Sequence, residues 1–390
     1  MQPESEYTIF SIIFSFSLFP RALASVQSSM GIAPAEDVEM AEDANAMPDD
    51  TKAIIEETLA MLSAGRKKRK MVDGYATIDD MRSFAPKQSI PSLHASSPAG
   101  INSIDVSLKS PSVFVTGGND KVVQVYDADS QKVLHTLKGH TKKVNHVLWL
   151  EDDASSLILS AGADKTARVW GYDEPSSTYA PRQTFKTHKA DVTGIGIHPS
   201  KKLAALASVD KTFSVHDLTT LQTVFHSAAF DSPFHSLAFH PDGHFIGVGT
   251  ANSSVFIIDL RSGEPAAELK PAGDSVFPVH TLAFSENGWQ MAAPGSAEGD
   301  VVSLWDLKKQ RATLQLDLGE GFKLRKVTYD YSAQFLGVGG AAGARIFLPN
   351  KTKEEVWRHD GDAIVGLTFG QLGKSIWATS GREVKVWGVI

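Results

Sequence analysis

From about residue 100 onward the chain is a succession of short runs in which apolar and polar residues alternate, separated by Gly, Asp and Asn clusters. That is the pattern of half-buried strands joined by tight turns. In one unit VNHVLWL, LILSAGA and TARVWG read as successive strands, with EDDASS and ADK as the turns between them. The runs recur. Seven segments end alike: GGNDKVVQVYD, AGADKTARVWG, ASVDKTFSVHD, TANSSVFIIDL, AEGDVVSLWDL, GAAGARIFLPN and SGREVKVWGVI. Their marker residues Tyr126, Trp170, His216, Ile258, Trp305, Phe347 and Trp387 lie 44, 46, 42, 47, 42 and 40 residues apart. A period of about 40–45 residues belongs to a four-stranded propeller blade with a Trp-Asp signature. The expected fold is therefore all-β, a seven-bladed β-propeller over residues 85–390.

Closure needs one more strand, because the chain stops at VKVWGVI, a third strand. Ala85–His94 is the expected donor, and closing the ring this way leaves only short protected edges. Truncation at residue 95 should then destabilise the whole ring, and truncation at residue 45 should not. Within the second unit, Gly139-His140, Ser160, Asp164 and Trp170 resemble the Trp-Asp repeat family. The resemblance implies a buried relay of His140, Ser160, Asp164 and Trp170, structural rather than catalytic, since buried polar atoms must find partners. Asp120 and Asp210 hold the same turn position, Asn252 can imitate it, and Gly299, Ala341 and Gly381 cannot.

Ahead of the repeats the pattern changes. In DDTKAIIEETLAMLSAG, Ile54, Ile55, Leu59 and Leu62 recur at helical spacing, with Asp50 as a cap and Gly65 as a stop. This predicts a short amphipathic docking helix, followed by the basic run Arg66, Lys67, Lys68, Arg69 and Lys70. Such a run reads either as a nuclear-import signal or as a solvated helix end whose cations meet the C-terminal dipole. Residues 1–49 read as a largely disordered extension, and 50–84 as the helix plus a basic linker. The apolar run Thr8–Phe19 with Ala22-Leu23-Ala24 looks like a signal peptide, but Glu4 and Glu6 stand where a positive charge belongs. Pro20 and Arg21 end the run too early for a membrane span. Met30 is an alternative start, which would make residues 1–29 extraneous.

Composition narrows the chemistry. The absence of cysteine excludes disulfides and thiolate sites. The formal charge of −7 is concentrated in residues 35–50, whose seven acids have no Lys or Arg among them. Without them the net charge is zero, so there is no large basic field for sequence-independent nucleic-acid binding. Gly337–Ala342 fits G-x-G-x-x-A, but a short strand follows it where a dinucleotide site needs a helix, so it reads as a hairpin turn. His235, His240 and His244 fall at strand ends or turns and lack the spacing of a metal site. No catalytic, cofactor or metal residues are expected. Asn252-Ser253-Ser254 and Asn350-Lys351-Thr352 are glycosylation acceptors only in a secreted chain. Function then falls to the surface, and Lys142 and Lys143 beside the Gly-His turn are the candidate partner-facing residues.

LKGHTKKV, FHPDG, FSENG, LGVGG and the linker LSAGRKKRK, in that order, resemble the pre-mRNA-processing factor 19 family over about residues 50–390. The resemblance implies a nuclear, spliceosome-associated protein whose propeller captures splicing-complex subunits and ubiquitination substrates. It also implies an N-terminal U-box ubiquitin ligase and a coiled coil that builds homotetramers, neither of which precedes the linker here. The expectation is thus a truncated or misassembled reading frame, non-catalytic as it stands, with RKKRK as its nuclear signal and no cofactor, membrane or specific nucleic-acid partner. Two other readings are an unrelated Trp-Asp adaptor and a secreted propeller enzyme.

Overall fold

The computed structural model describes residues 46–66, 73–151, 156–271, 275–349 and 353–389. The apolar run at 8–19, the acids before residue 46, Lys67–Lys70 of the basic run and Asn350 lie outside them. Strand alternation builds seven four-stranded antiparallel sheets among the described residues, arranged as the blades of a β-propeller. Blade 1 runs outward from the channel through β2 (Ile101–Val106), β3 (Val113–Gly118), β4 (Val122–Asp127) and β5 (Lys132–Lys138). Blade 2 follows as β6 (Val144–Glu151), β7 (Ser156–Gly162), β8 (Ala167–Asp173) and β9 (Thr178–Phe185). The fourth strand of blade 7 is β1 (Ala85–Ile90), which pairs with the last strand of the chain from Ala85 opposite Gly388 to Ile90 opposite Val384. The strand stops at Ile90, short of His94, which has another task.

The core is distributed around the ring. Each seam between neighbouring blades holds its own apolar cluster, because the two faces of a sheet inside a propeller are both covered. At the closing seam Phe114 of blade 1 packs at 5.3 Å from Trp377 of blade 7, within a cluster that includes Ile90, Ile104 and Val386. At the blade 2–3 seam Leu159, Val169 and Phe185 meet Val192, Ala204 and Leu206.

Helix α1 spans Asp49–Arg66, so Gly65 does not stop it and Asp50 lies in its first turn rather than at the cap. Both first-turn acids favour the helix dipole there. Thr51, Ile55 and Thr58 form its buried stripe. Ile55 and Met47 join the apolar cluster of blades 3 and 4, and Glu56 lies 3.7 Å from Arg261. The helix thus docks on its own propeller. The segment expected as a plain linker contains a second helix, α2 (Ile78–Arg82), started by a Thr77/Asp80 capping box. Met81 and Phe84 anchor it in the blade 6–7 cluster, Trp357 Nε1 donates to the Phe84 carbonyl at 3.1 Å, and Arg82 pairs with Glu354 at 2.6 Å. The G-x-G-x-x-A stretch is a strand, Leu336–Gly340, and the turn after it.

Candidate functional site

In blade 2 the structure brings His140, Ser160, Asp164 and Trp170 into one buried chain. An indole N–H can only donate, and Trp170 Nε1 lies 2.9 Å from Ser160 Oγ. The hydroxyl therefore gives its proton to His140 Nε2 at 2.8 Å, and His140 Nδ1–H donates to Asp164 at 2.9 Å. Asp164 also accepts from Thr141 N–H at 2.9 Å and the Thr166 hydroxyl at 2.8 Å. Burial pushes the Asp164 carboxyl up, but these donors outweigh it and hold it well below the ordinary carboxylate range. The arrangement fastens the loop entering blade 2 to the turn between β7 and β8. It leaves neither a free nucleophile nor a free base.

Two further relays were not read from the sequence. In blade 1, His94 bonds Thr116 Oγ1 at 2.9 Å and Asp120 at 2.8 Å. Tyr126 stands in the place of tryptophan, so this chain ends at Thr116. In blade 3, His188 meets Asp210 at 3.1 Å and Ser214 Oγ at 2.9 Å. Leu206 occupies the position equivalent to Ser160, and the hydroxyl comes instead from Ser214, its cross-strand partner. The chain then continues through His216 at 2.7 Å to Thr223 at 3.0 Å. Burial, reinforced by His188 and His226, pushes His216 down to about 3, and its ring packs against Phe185 with centroids 4.0 Å apart and planes tilted by 36°. A histidine about 24 residues ahead of each turn aspartate was the available signal.

Blade 4 is built differently. The expectation that Asn252 imitates the aspartate is corrected: its side chain is exposed, and the loop is tied by Ser253, whose Oγ accepts from Phe277 N–H at 2.7 Å. Where blades 2 and 3 have a histidine four residues before the inner strand, blade 4 has Phe230, packed 5.1 Å from Phe234 and 5.5 Å from Phe256.

The relays end at one face of the ring, and there three Asp-Lys turns repeat. Lys121, Lys165 and Lys211 follow the relay aspartates with φ of 71°, 69° and 72°. Glycine is the usual choice for that conformation, so each exposed lysine is held out by a turn that its aspartate fixes. Lys142, Lys143 and Lys189 are exposed on the same face.

A central channel of about 580 Å³ is lined by the inner strands, among them Asp105, His146, His235, His280 and Lys326. Asp105 accepts from Trp149 N–H at 2.8 Å and Val106 N–H at 3.0 Å, yet burial pushes it up to about 6. Burial lowers Lys326, with Asp105 opposing. Burial and Lys326 push His146 down to about 4 while its Nε2–H donates to the Thr193 carbonyl at 2.7 Å. Most polar groups here tie one blade to the next: Asn102 donates to Val144 O at 2.8 Å, Asn145 to Val192 O at 2.8 Å, Thr193 to Phe234 O at 2.7 Å and His280 to Leu324 O at 2.8 Å. His235 is the second residue of its strand, at the strand end expected, and lines the channel. His240 donates to Gly288 O at 3.1 Å, and His244 lies 3.1 Å from Asp259. Among the described residues no cluster of three His, Asp or Glu side chains could hold a metal ion.

A family model described as "WD domain, G-beta repeat" matches residues 131–171, and one described as "Anaphase-promoting complex subunit 4 WD40 domain" matches residues 195–287. Among curated proteins, the chain is 34% identical over 342 residues to pre-mRNA-processing factor 19 homolog 2 of Arabidopsis thaliana, covering 85% of this chain and 62% of that protein. It is 33% identical over 285 residues to pre-mRNA-processing factor 19 of Oryza sativa subsp. japonica, covering 72% of this chain and 52% of the relative. With the Bos taurus protein of the same name the identity is 29% over 378 residues, covering 95% and 72%. The chain thus spans between about half and three quarters of the relatives' lengths.

Proposed function

The chain is a WD-repeat protein similar to pre-mRNA-processing factor 19 over most of its length, and on that footing we propose that it is a protein-binding scaffold of the splicing machinery. The observation that carries the reading is the face formed by the relay loops. Three buried relays in consecutive blades hold their turns rigid and leave Lys121, Lys165 and Lys211, with Lys142 and Lys143, standing out of it. Recognition concentrates on loops that a rigid scaffold positions, because little conformational entropy is then lost on binding.

On this reading the partners are splicing-complex subunits, and substrates where a ligase is attached. The site of action is the nucleus, with Arg66–Lys70 as the import signal. Ubiquitin transfer and tetramer assembly, which the family resemblance implies for a U-box and a coiled coil, form no part of this proposal. The test is co-purification from nuclear extract with spliceosomal proteins and small nuclear RNAs. The wild-type chain should retain them, and Lys142→Glu/Lys143→Glu should retain at least about tenfold less, the equivalent of about 1.4 kcal/mol. Equal recovery with the double variant removes the relay face from the reading. A purely cytoplasmic chain with no spliceosomal partner favours the unrelated adaptor instead.

A further inference from the structure

A propeller leaves the outer strand of every blade with one free edge, and such an edge is a template for pairing unless something blunts it. Here β9 carries Pro181 and Arg182, β1 carries Pro86 and Lys87, and the outer strand of blade 4 carries Pro265 and Glu268. The outer strand of blade 6 has Glu355 and Arg358, and that of blade 3 is only five residues long. The edge of β5 is different. Val133 is 46% and Leu134 44% exposed, and among the described residues no other outer strand has a large hydrophobic side chain so exposed. Beside it, on blade 2, Tyr172 is 40% exposed. The His135 and Tyr172 rings are 6.2 Å apart and those of Tyr172 and Tyr179 5.2 Å, which extends the apolar surface across the seam.

We propose that the free edge of β5 is a strand-addition site for an extended apolar segment of a protein partner flanked by acidic residues. Main-chain hydrogen bonds to the edge would supply affinity, and alternate side chains of the added strand would supply specificity. β5 bulges at Leu134, with Val133 opposite Tyr126 and His135 opposite Val125, so the added side chains on the His135 face continue onto Tyr172 and those on the other face lie beside Val133. Charge decides the occupant. Exposed Lys132 and Lys138 close the two ends of the strand. A second copy paired antiparallel about His135 would set Lys132 against Lys138 twice, and a parallel copy in register would set each lysine beside itself. Like charges directly opposite destabilise a strand pair, so acidic flanks fit and self-pairing does not. This surface is on the rim and is independent of the relay face.

The experiment titrates the full chain into fluorescein-labelled, end-capped DEVTVTVED and KKVTVTVKK peptides, followed by anisotropy and by amide hydrogen exchange of the complex. The acidic-flanked peptide should bind at least about tenfold more tightly, with exchange slowed chiefly over residues 132–138. Leu134→Asp should abolish binding. Lys132→Glu/Lys138→Glu should reverse the preference between the two peptides, a result that a merely unfolded edge cannot give. The proposal is overturned if the acidic-flanked peptide fails to saturate at about 1 mM, a concentration that still detects ~4 kcal/mol of binding. It is equally overturned by equal affinity for both peptides, by protection elsewhere on the ring, or by concentration-dependent dimers that protect β5 without peptide.

Discussion

Blades 2 and 4 solve the same problem with different chemistry. In both, the loop entering the blade must be fixed to the turn between its second and third strands, and in both a backbone bond does part of it: Ala163 N–H to Lys143 O at 3.0 Å, and Ala251 N–H to Pro233 O at 3.0 Å. Blade 2 adds the His140 relay, whereas blade 4 adds Phe230 among phenylalanines and the Ser253 hydroxyl. The relay is therefore not what makes a blade. It is a directional polar lock laid over an apolar seam, found among the described residues in three neighbouring blades, the same blades whose Asp-Lys turns project lysines.

The largest effect tests the seams that both blades depend on. A chain beginning at residue 95 loses β1 and His94 together and should show no cooperative thermal transition. One beginning at residue 46 should melt within about 4 °C of the full chain, less than a ~1 kcal/mol change. A sharp transition in the shorter chain would mean that the ring does not need β1. Next, Ser160→Ala leaves the Trp170 N–H and His140 Nε2 buried without partners and should cost about 2–3 kcal/mol in denaturant unfolding. Thr116→Val orphans only His94 and should cost about 1–2 kcal/mol. Equal costs would show that the indole adds nothing to the relay.

Acid should weaken the fold before Asp164 and Asp210 titrate, since their donors hold both below the ordinary carboxylate range. Burial holds His146 and His198 near 4 and His216 near 3, against about 6.5 in the unfolded chain. Between those values the unfolded chain binds more protons, so this stability is complete above about pH 7 and declines as the pH falls through 6.5 towards 4. Asp105 runs the other way. Its folded value of about 6 lies above the unfolded one, so the fold gains as pH falls through 6. His146→Gln should flatten the decline and Asp105→Asn steepen it, as read from denaturation midpoints between pH 4.5 and 7.5 (about 6.5 being the unfolded histidine value). The smallest effect belongs to blade 4: Ser253→Ala should cost about 1 kcal/mol, chiefly through the buried Phe277 N–H that loses its acceptor.

The blade count and the blade 2 relay were legible because the third strand repeats its large residue and its Asp-Lys turn. The relay of blade 3 was not, because its hydroxyl moved from the second strand to the facing position on the third, from Leu206 to Ser214. That exchange is invisible to a linear pattern and neutral to a pleated sheet. His94 was hidden by lying in a long loop before the inner strand rather than four residues from it. The docking of α1 was legible only at Ile55: Thr51 and Thr58 complete its buried face, Ile54, Leu59 and Leu62 are half-buried, and its receptor, the seam of blades 3 and 4, is a tertiary fact. Channel residues such as Asp105 and Lys326 look like ordinary strand polar positions until closure brings blade 6 round to blade 1.

That closure also sets an order of events during synthesis. Among the described strands β1 leaves the ribosome first, and its partner, Glu383–Gly388, leaves last. Until then the nascent chain is an open stack of blades with an unmatched edge at each end. A chain that stops short of Glu383 therefore keeps β1 without its partner, and its ring stays open at that strand.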